Sequence, residues 1–100
     1  MPYAIRQEEA SIILELAGEV TARDVAQLAK DVSSLLNTQS SVVVRAGALE
    51  DVDTSVLQML VSLRKTTPAF TIEDCSPAFD GAVDRCGLRR ELLGRSREAL

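Results

Sequence analysis

Two periods of apolar residues alternate along this chain, and the changes from one to the other outline a fold. From Ser11 to Gly18, Ile12, Leu14 and Leu16 alternate with Ile13 and Glu15. That is the period of a strand, and Gly18 is the natural place for it to end. A short strand from Tyr3 to Arg6 is placed to pair with it through a turn at Gln7 to Ala10. From Val25 the period changes. Val25, Leu28, Ala29, Val32, Leu35 and Leu36 recur at helical spacing, with Arg23, Gln27, Lys30 and Ser34 on the other face. Thr21 followed by Asp24 resembles a capping box, so a helix is predicted from about Ala22 to Leu36, ending near Asn37.

Ser41 to Ala46 carries three consecutive valines, Val42 to Val44. A run without polar alternation predicts a strand buried on both faces, central in its sheet. A loop from Gly47 to Asp53 then leads to a second helix, about Ser55 to Lys65. Val56, Leu57, Leu60, Val61 and Leu63 make that helix apolar around most of its circumference. Ser55, Gln58, Ser62 and Lys65 leave one narrow polar stripe at steps of three and four. Met59 lies beside the stripe and is expected to be exposed. Pro68 marks a break, and Ala69 to Cys75 alternates again as a strand. Ser76-Pro77 is a strong helix start. Ala78, Phe79, Ala82, Val83 and Cys86 form one face of that helix, and Gly87 suits its C-terminal turn. Leu88 to Leu93 is expected to continue as a short last helix, with residues 94–100 frayed. The order β-β-α-β-α-β-α, with this fourth helix, predicts one α/β domain over residues 1–100, its core at about 3–93. The sheet is mixed and mainly parallel, with four or five strands, an antiparallel hairpin at its start and helices packed mainly on one face.

Composition narrows the function. The net charge of −4 argues against a nucleic-acid surface. The one basic cluster, Arg85, Arg89, Arg90, Arg95 and Arg97, is interrupted by Glu91 and Glu98 and reads as a solvated helix face. Without histidine, the chain lacks the commonest general base and metal ligand. A serine nucleophile would have only Lys30 and Lys65 to activate it. Cys75 and Cys86 lack the spacing of a zinc site and are expected as unpaired, mostly buried core residues. Glu50, Asp51 and Asp53 gather in one loop, most simply as solvated acids before a helix. No phosphate-binding or dinucleotide motif is present. No catalytic residue, cofactor or metal is expected. The chain shows no signal peptide, and its apolar runs are too short to span a bilayer. A cytoplasmic protein is the expectation, a monomer or weak homodimer.

Thr54 and Ser55 follow Asp53 where the second helix begins. Side-chain oxygens there accept from unpaired N–H groups, so plain capping accounts for them on spacing alone. A phosphorylated hydroxyl at that point would also put about −1.5 to −2 of charge beside the positive end of the helix dipole. The position suits a cap, a switch or both. An aspartate replacing Ser55 is expected to leave the fold nearly as stable, since a carboxylate is favourable there.

The succession LELAGEVTARDVAQLAKDV, SVVVRAGALEDVDTSVLQMLVSL and SPAFDGAVDRCGL resembles the STAS family, named for sulfate transporters and bacterial anti-sigma factor antagonists. The likeness covers about residues 3 to 93. It lies in Leu16-Ala17-Gly18 before the first helix, in Asp53-Thr54-Ser55-Val56-Leu57 at the second, and in Gly87-Leu88 after the third. The resemblance implies a non-enzymatic protein–protein interaction module, phosphorylated at Ser55, or alternatively at Thr54. The kinase would be a partner anti-sigma factor of the histidine-kinase-like ATPase type. It implies a docking surface around Asp53, Thr54, Ser55, Gln58, Met59 and Ser62. Stand-alone STAS proteins also resemble the accessory subunit of bacterial lipid-transport ATPases, and small domains found beside chemotaxis proteins. In that alternative the same helix start docks without phosphorylation. Two positions depart from the family pattern. Val56 stands where glycine is frequent, crowding a kinase's approach. Arg45 ends the central strand where aspartate is frequent, placed to attract a phosphate or to pair with Asp51 or Asp53.

Overall fold

The computed structural model describes residues 3–9, 11–35, 41–67 and 69–93. Its strands lie in the order in which the chain makes them. β1 (Tyr3–Glu8) pairs antiparallel with β2 (Ser11–Val20), which pairs parallel with β3 (Ser41–Val52). β3 in turn pairs parallel with β4 (Ala69–Glu73). The helices are α1 (Ala22–Leu35), α2 (Thr54–Thr66), α3 (Pro77–Arg85) and the short α4 (Arg89–Leu93). The mixed, mainly parallel sheet of the sequence reading is therefore present, with four strands. Expected features at Ala10, Leu36, Asn37, Pro68, Arg95, Arg97 and 94–100 lie outside the described residues.

Alternation along each strand sorts side chains between two unlike faces. Ile12, Leu14 and Leu16 of β2 and Val42, Val44 and Ala46 of β3 are buried on one face. The same core takes in Leu28 and Val32 of α1, Val56, Leu57, Leu60 and Leu63 of α2, Phe79, Ala82 and Val83 of α3, and Leu92 of α4. The helices thus cover a single face. Val43 shows the consequence. It lies in an inner strand between Ile13 and Thr71 but is only half-buried, contrary to the expectation of burial on both faces. Its side chain points to the uncovered face, so the unbroken valine run marks a central strand without implying two covering layers.

That outer face carries ion pairs. Arg6 meets Glu15 at 3.4 Å and Arg45 meets Glu73 at 3.4 Å. Arg45 and Glu73 are cross-strand neighbours in register, so this arginine pairs there rather than with Asp51 or Asp53. Both pairs are open to water and add little stability.

Four strand ends differ from the sequence reading. β1 runs on through Gln7 and Glu8, read as turn residues, to pair with Ile12 and Ser11. β2 runs through Gly18, which sits at φ +66 with nothing close to its missing Cβ, so glycine serves conformation there rather than space. β3 continues to Val52 through residues read as a loop, because Leu49 and Val52 are buried and β2 supplies partners as far as Val20. β4 stops at Glu73. Asp74 turns the chain at φ 56, and the Ser76 N–H donates to the Ala46 carbonyl at 3.1 Å. Gly47 lets this corner close, because a Cβ there would stand 3.0 Å from Cβ of Asp74.

The helix ends follow capping chemistry. Ser76 caps α3 through Phe79 N–H at 3.0 Å, with Pro77 in the first turn. Beyond Cys86, Gly87 at φ +67 donates to Asp84 O, and Leu88 N–H to Val83 O, which is the Schellman pattern. The capping box at α1 is only half formed. The Asp24 carboxylate accepts from the backbone N–H and hydroxyl of Thr21, while Asp24 N–H goes to the Thr21 carbonyl instead of its side chain. Arg89 is not a solvated cation. It lies against α3, bound to Asp80 at 2.7 Å and Asp84 at 2.6 Å. Arg64 of α2 donates to the carbonyls of Arg90 and Glu91 in α4. Both cysteines are free, as expected, but Cys75 is exposed and Cys86 half-buried rather than both lying in the core.

Tyr3, the only tyrosine, is buried and donates to Asp31 Oδ2 at 3.0 Å, joining β1 to α1. Burial first, then the hydrogen bond and charge of Asp31, push its phenol above the ordinary tyrosine value. The folded state therefore favours the protonated phenol. Stability from this group is present below the unfolded pKa and is lost as pH rises through the folded one. Phenolate absorbance of the folded protein should rise at higher pH than in the urea-unfolded chain. Coincident titrations would mean that the Tyr3–Asp31 contact is absent in solution.

Candidate functional site

The site lies at the carboxyl ends of the parallel strands, where helices begin. β2 and β3 finish side by side, with Val20 opposite Val52. The next residue on β3's side, Asp53, donates its backbone N–H to the Val20 carbonyl at 3.0 Å. Thr21 leads from Val20 into α1, so α1 and α2 start from one joint.

Asp53 caps α2, where the sequence reading gave that task to Thr54 and Ser55. Its backbone is extended (φ −77, ψ 148), and one carboxylate oxygen, Oδ1, accepts from Ser55 N–H at 2.9 Å and Ser55 Oγ at 2.8 Å. Those two bonds, the backbone one first, hold the Asp53 carboxyl below the ordinary aspartate range. The carboxylate stays ionised at neutral pH, and its contribution to the fold is lost as pH falls through its lowered pKa. Thr54 is thereby released from capping. Its hydroxyl lies 3.6 Å from Cys86 Sγ, at the end of α3.

The structure brings Asp53, Thr54 and Ser55 together in the first turn of α2. Asp53 and Thr54 are exposed and Ser55 is half-buried. Gln58 and Ser62 continue the exposed stripe along the helix. Met59 does not belong to it as expected, being half-buried and packed against the core. Val56 does not crowd the approach to Ser55, because its side chain is wholly buried in the core. Of the acidic residues, Asp53 is the cap and Asp51 Oδ1 accepts from Val52 N–H at 3.0 Å. Among the described residues, no cluster of three His, Cys, Asp or Glu side chains could hold a metal.

Sequence reasoning missed Cys86 as a neighbour of Thr54. Gly87 marks where α3 ends but carries no signal of where that end falls. The capping role of Asp53 had a signal, since an aspartate two residues before a serine can bind that serine's N–H.

The family model described as "Mlab, STAS domain" matches residues 3–94. In fold, the chain is similar to the anti-sigma factor antagonist SpoIIAA in its unphosphorylated form. The TM-score is 0.74 at 17% identity, over 86% of this chain and 81% of that one. It is equally similar to an anti-sigma factor antagonist from Mycobacterium paratuberculosis, with a TM-score of 0.74 at 14% identity, over 88% and 79%. A third likeness, to the structure of Mglu, has a TM-score of 0.61 at 14% identity and covers 74% of this chain but 20% of that one. No curated protein matches the chain. Among the described residues, no helix is long and apolar enough to cross a membrane.

Proposed function

Since the chain belongs to the STAS domain family, we propose that it is a non-enzymatic protein–protein interaction module of the anti-sigma factor antagonist kind, switched by phosphorylation of Ser55. The partner is a cytoplasmic serine kinase of the histidine-kinase-like ATPase type, which also serves as the anti-sigma factor. Thr54 is the alternative acceptor. The observation that carries this reading is the division of labour at α2. Asp53 holds the helix end, so the hydroxyls of Thr54 and Ser55 lie at the surface without being its caps. Asp53, Thr54, Ser55, Gln58 and Ser62 form the docking surface, with Met59 supporting it from beneath. A phosphate on Ser55 adds charge that docking would have to desolvate, and so releases the partner.

The experiment uses the ATPase that co-purifies with the protein. Incubation with ATP should place one phosphate on Ser55, read by mass spectrometry, and none there in Ser55→Ala. Ser55→Asp should bind the ATPase about tenfold or more weakly, a loss of roughly 1.4 kcal/mol, while Ser55→Ala binds as the wild type does. If Ser55→Asp binds as tightly as wild type, phospho-switching fails. A transporter ATPase as partner, with no phosphate incorporated, would put the accessory-subunit reading in its place.

A further inference from the structure

We propose that two copies of this chain pair through β1, antiparallel and centred on Ile5, forming a weak dimer with one continuous sheet. The surface is distinct from the first turn of α2 and does not depend on the reading of Ser55.

β1 and β4 are the two edges of the sheet. Proline and bulges commonly keep an edge from pairing. Over Tyr3–Glu8 there is no proline, and an unbroken register with β2 leaves no bulge. Only two residues separate Glu8 from its partner Ser11, so this pair exchanges hydrogen bonds, and bonded pairs alternate along the ladder from there. The N–H and C=O groups of Glu8, Arg6 and Ala4 are therefore directed to β2. Those of Tyr3, Ile5 and Gln7 are directed outward, with no strand beyond them among the described residues. Beside this edge runs a groove of about 380 Å³, lined by Tyr3, Ala4, Ile5, Asp31, Ser34 and Leu35. Asp31, the one charged residue in that lining, is already bound by Tyr3 and Gln27. The groove along β4 has Arg64 and Lys65 in its lining, so a symmetric pair there would gather cations.

Charge and strand length select the register. A symmetric pair centred on Arg6 would set Arg6 against its own copy, like charge on like. One centred on Gln7 would set Ile5 opposite Glu9, which has already turned out of the strand at φ 53. One centred on Ala4 would leave Arg6 and Gln7 beyond the second copy's β1. Centred on Ile5, the pairing sets Ile5 opposite Ile5, Tyr3 opposite Gln7 and Arg6 opposite the small Ala4. All three outward-directed residues then exchange backbone bonds. The two half-buried Ile5 side chains meet on the helix side, at the mouths of the two grooves. The contact is isologous and closes at two copies. It is one strand wide, smaller than a standard stable interface, so its dissociation constant lies between about 1 μM and 1 mM. Strand directions reverse across the axis. The two Ser55 regions therefore lie at opposite ends of the shared sheet, and both stay open to a partner.

Sedimentation equilibrium and amide exchange on the full chain test this. The mass should rise from one chain toward two as concentration passes through that range. Exchange at Tyr3, Ile5 and Gln7 should slow about tenfold once nine-tenths of the chains are paired. Ala4 and Arg6, already bonded to β2, should keep their rates. Gln7→Pro removes an outward N–H at an exposed edge position, where proline is tolerated. It should raise the dissociation constant about tenfold or more, with the melting temperature of dilute protein near that of wild type. Should that variant unfold, the exchange pattern of the wild type decides alone. A single-chain mass at about 1 mM overturns the proposal. So does a dimer in which Ile5 and Gln7 exchange as fast as in the monomer, because another surface would then hold it. Ser55→Asp should leave the dimer unchanged, so failure of the switch and failure of this contact are read apart.

Discussion

Phe79→Ala should be the most damaging single truncation in this protein, costing about 3–5 kcal/mol. Among the described residues, Phe79 is the largest of the fully buried side chains. It sits in the first turn of α3, the helix that packs against β3, and its backbone N–H is tied to the buried Ser76 side chain. The ring therefore fills the space between helix and sheet at a point where the backbone is pinned. A cavity there cannot close by sliding α3 inward without breaking its cap. For a domain of this size each kcal/mol moves Tm by about 4–8 °C, so thermal melts should show a fall on the order of 15–30 °C. A loss below about 1 kcal/mol would mean that α3 does not pack on β3 as described.

The second large effect separates two adjacent valines. Val44→Ala should cost about 2 kcal/mol or slightly more, because Val44 is wholly buried beneath the helices and the removed volume has nothing to refill it. Val43→Ala should cost distinctly less, since that side chain is already partly exposed on the open face. Urea denaturation of the pair gives the answer from two midpoints at constant slope. Equal losses would mean that both sheet faces are covered in solution. The composition of the two sites is the same, so only the direction of the side chain separates them.

Much of this architecture was legible because the sheet has one wet face and one dry one. Period-two alternation identifies β2 and β4, and the helical period identifies α1 and α2, directly from Ile, Leu and Val positions. Ser76-Pro77 and Gly87 marked both ends of α3, because capping depends on residues next to one another in the chain. The failures share another cause. Residues 47–52 of β3 contain Gly, Glu and Asp, which have low strand propensity, yet β2 draws them into the sheet. Tertiary pairing overrode the local preference. Arg89 read as a surface charge because only the fold brings Asp80 and Asp84 of α3 to it. In the candidate site, Asp53-Thr54-Ser55 was visible as a helix start. Which of the three caps the helix was not, since all have suitable oxygens and the choice depends on backbone geometry at Asp53. The proximity of Cys86 to Thr54 joins residues far apart in sequence and had no local trace.

Strand order along the sheet is the same as strand order along the chain. No strand has to be inserted between two already paired, so during synthesis each arrives at an open edge left by its predecessor. The β1–β2 hairpin can form first, from residues close in sequence, and β3 and β4 extend it outward. Domains emerge from the ribosome N-terminus first, and here the direction of emergence coincides with the direction in which the sheet grows. The last elements to appear, α3 and α4, close the part of the core over β3 and β4. A ribosome stalled after α2 should therefore hold a paired three-stranded sheet with Val44 and Ala46 still uncovered, and release of α3 should be the step that ends chaperone binding.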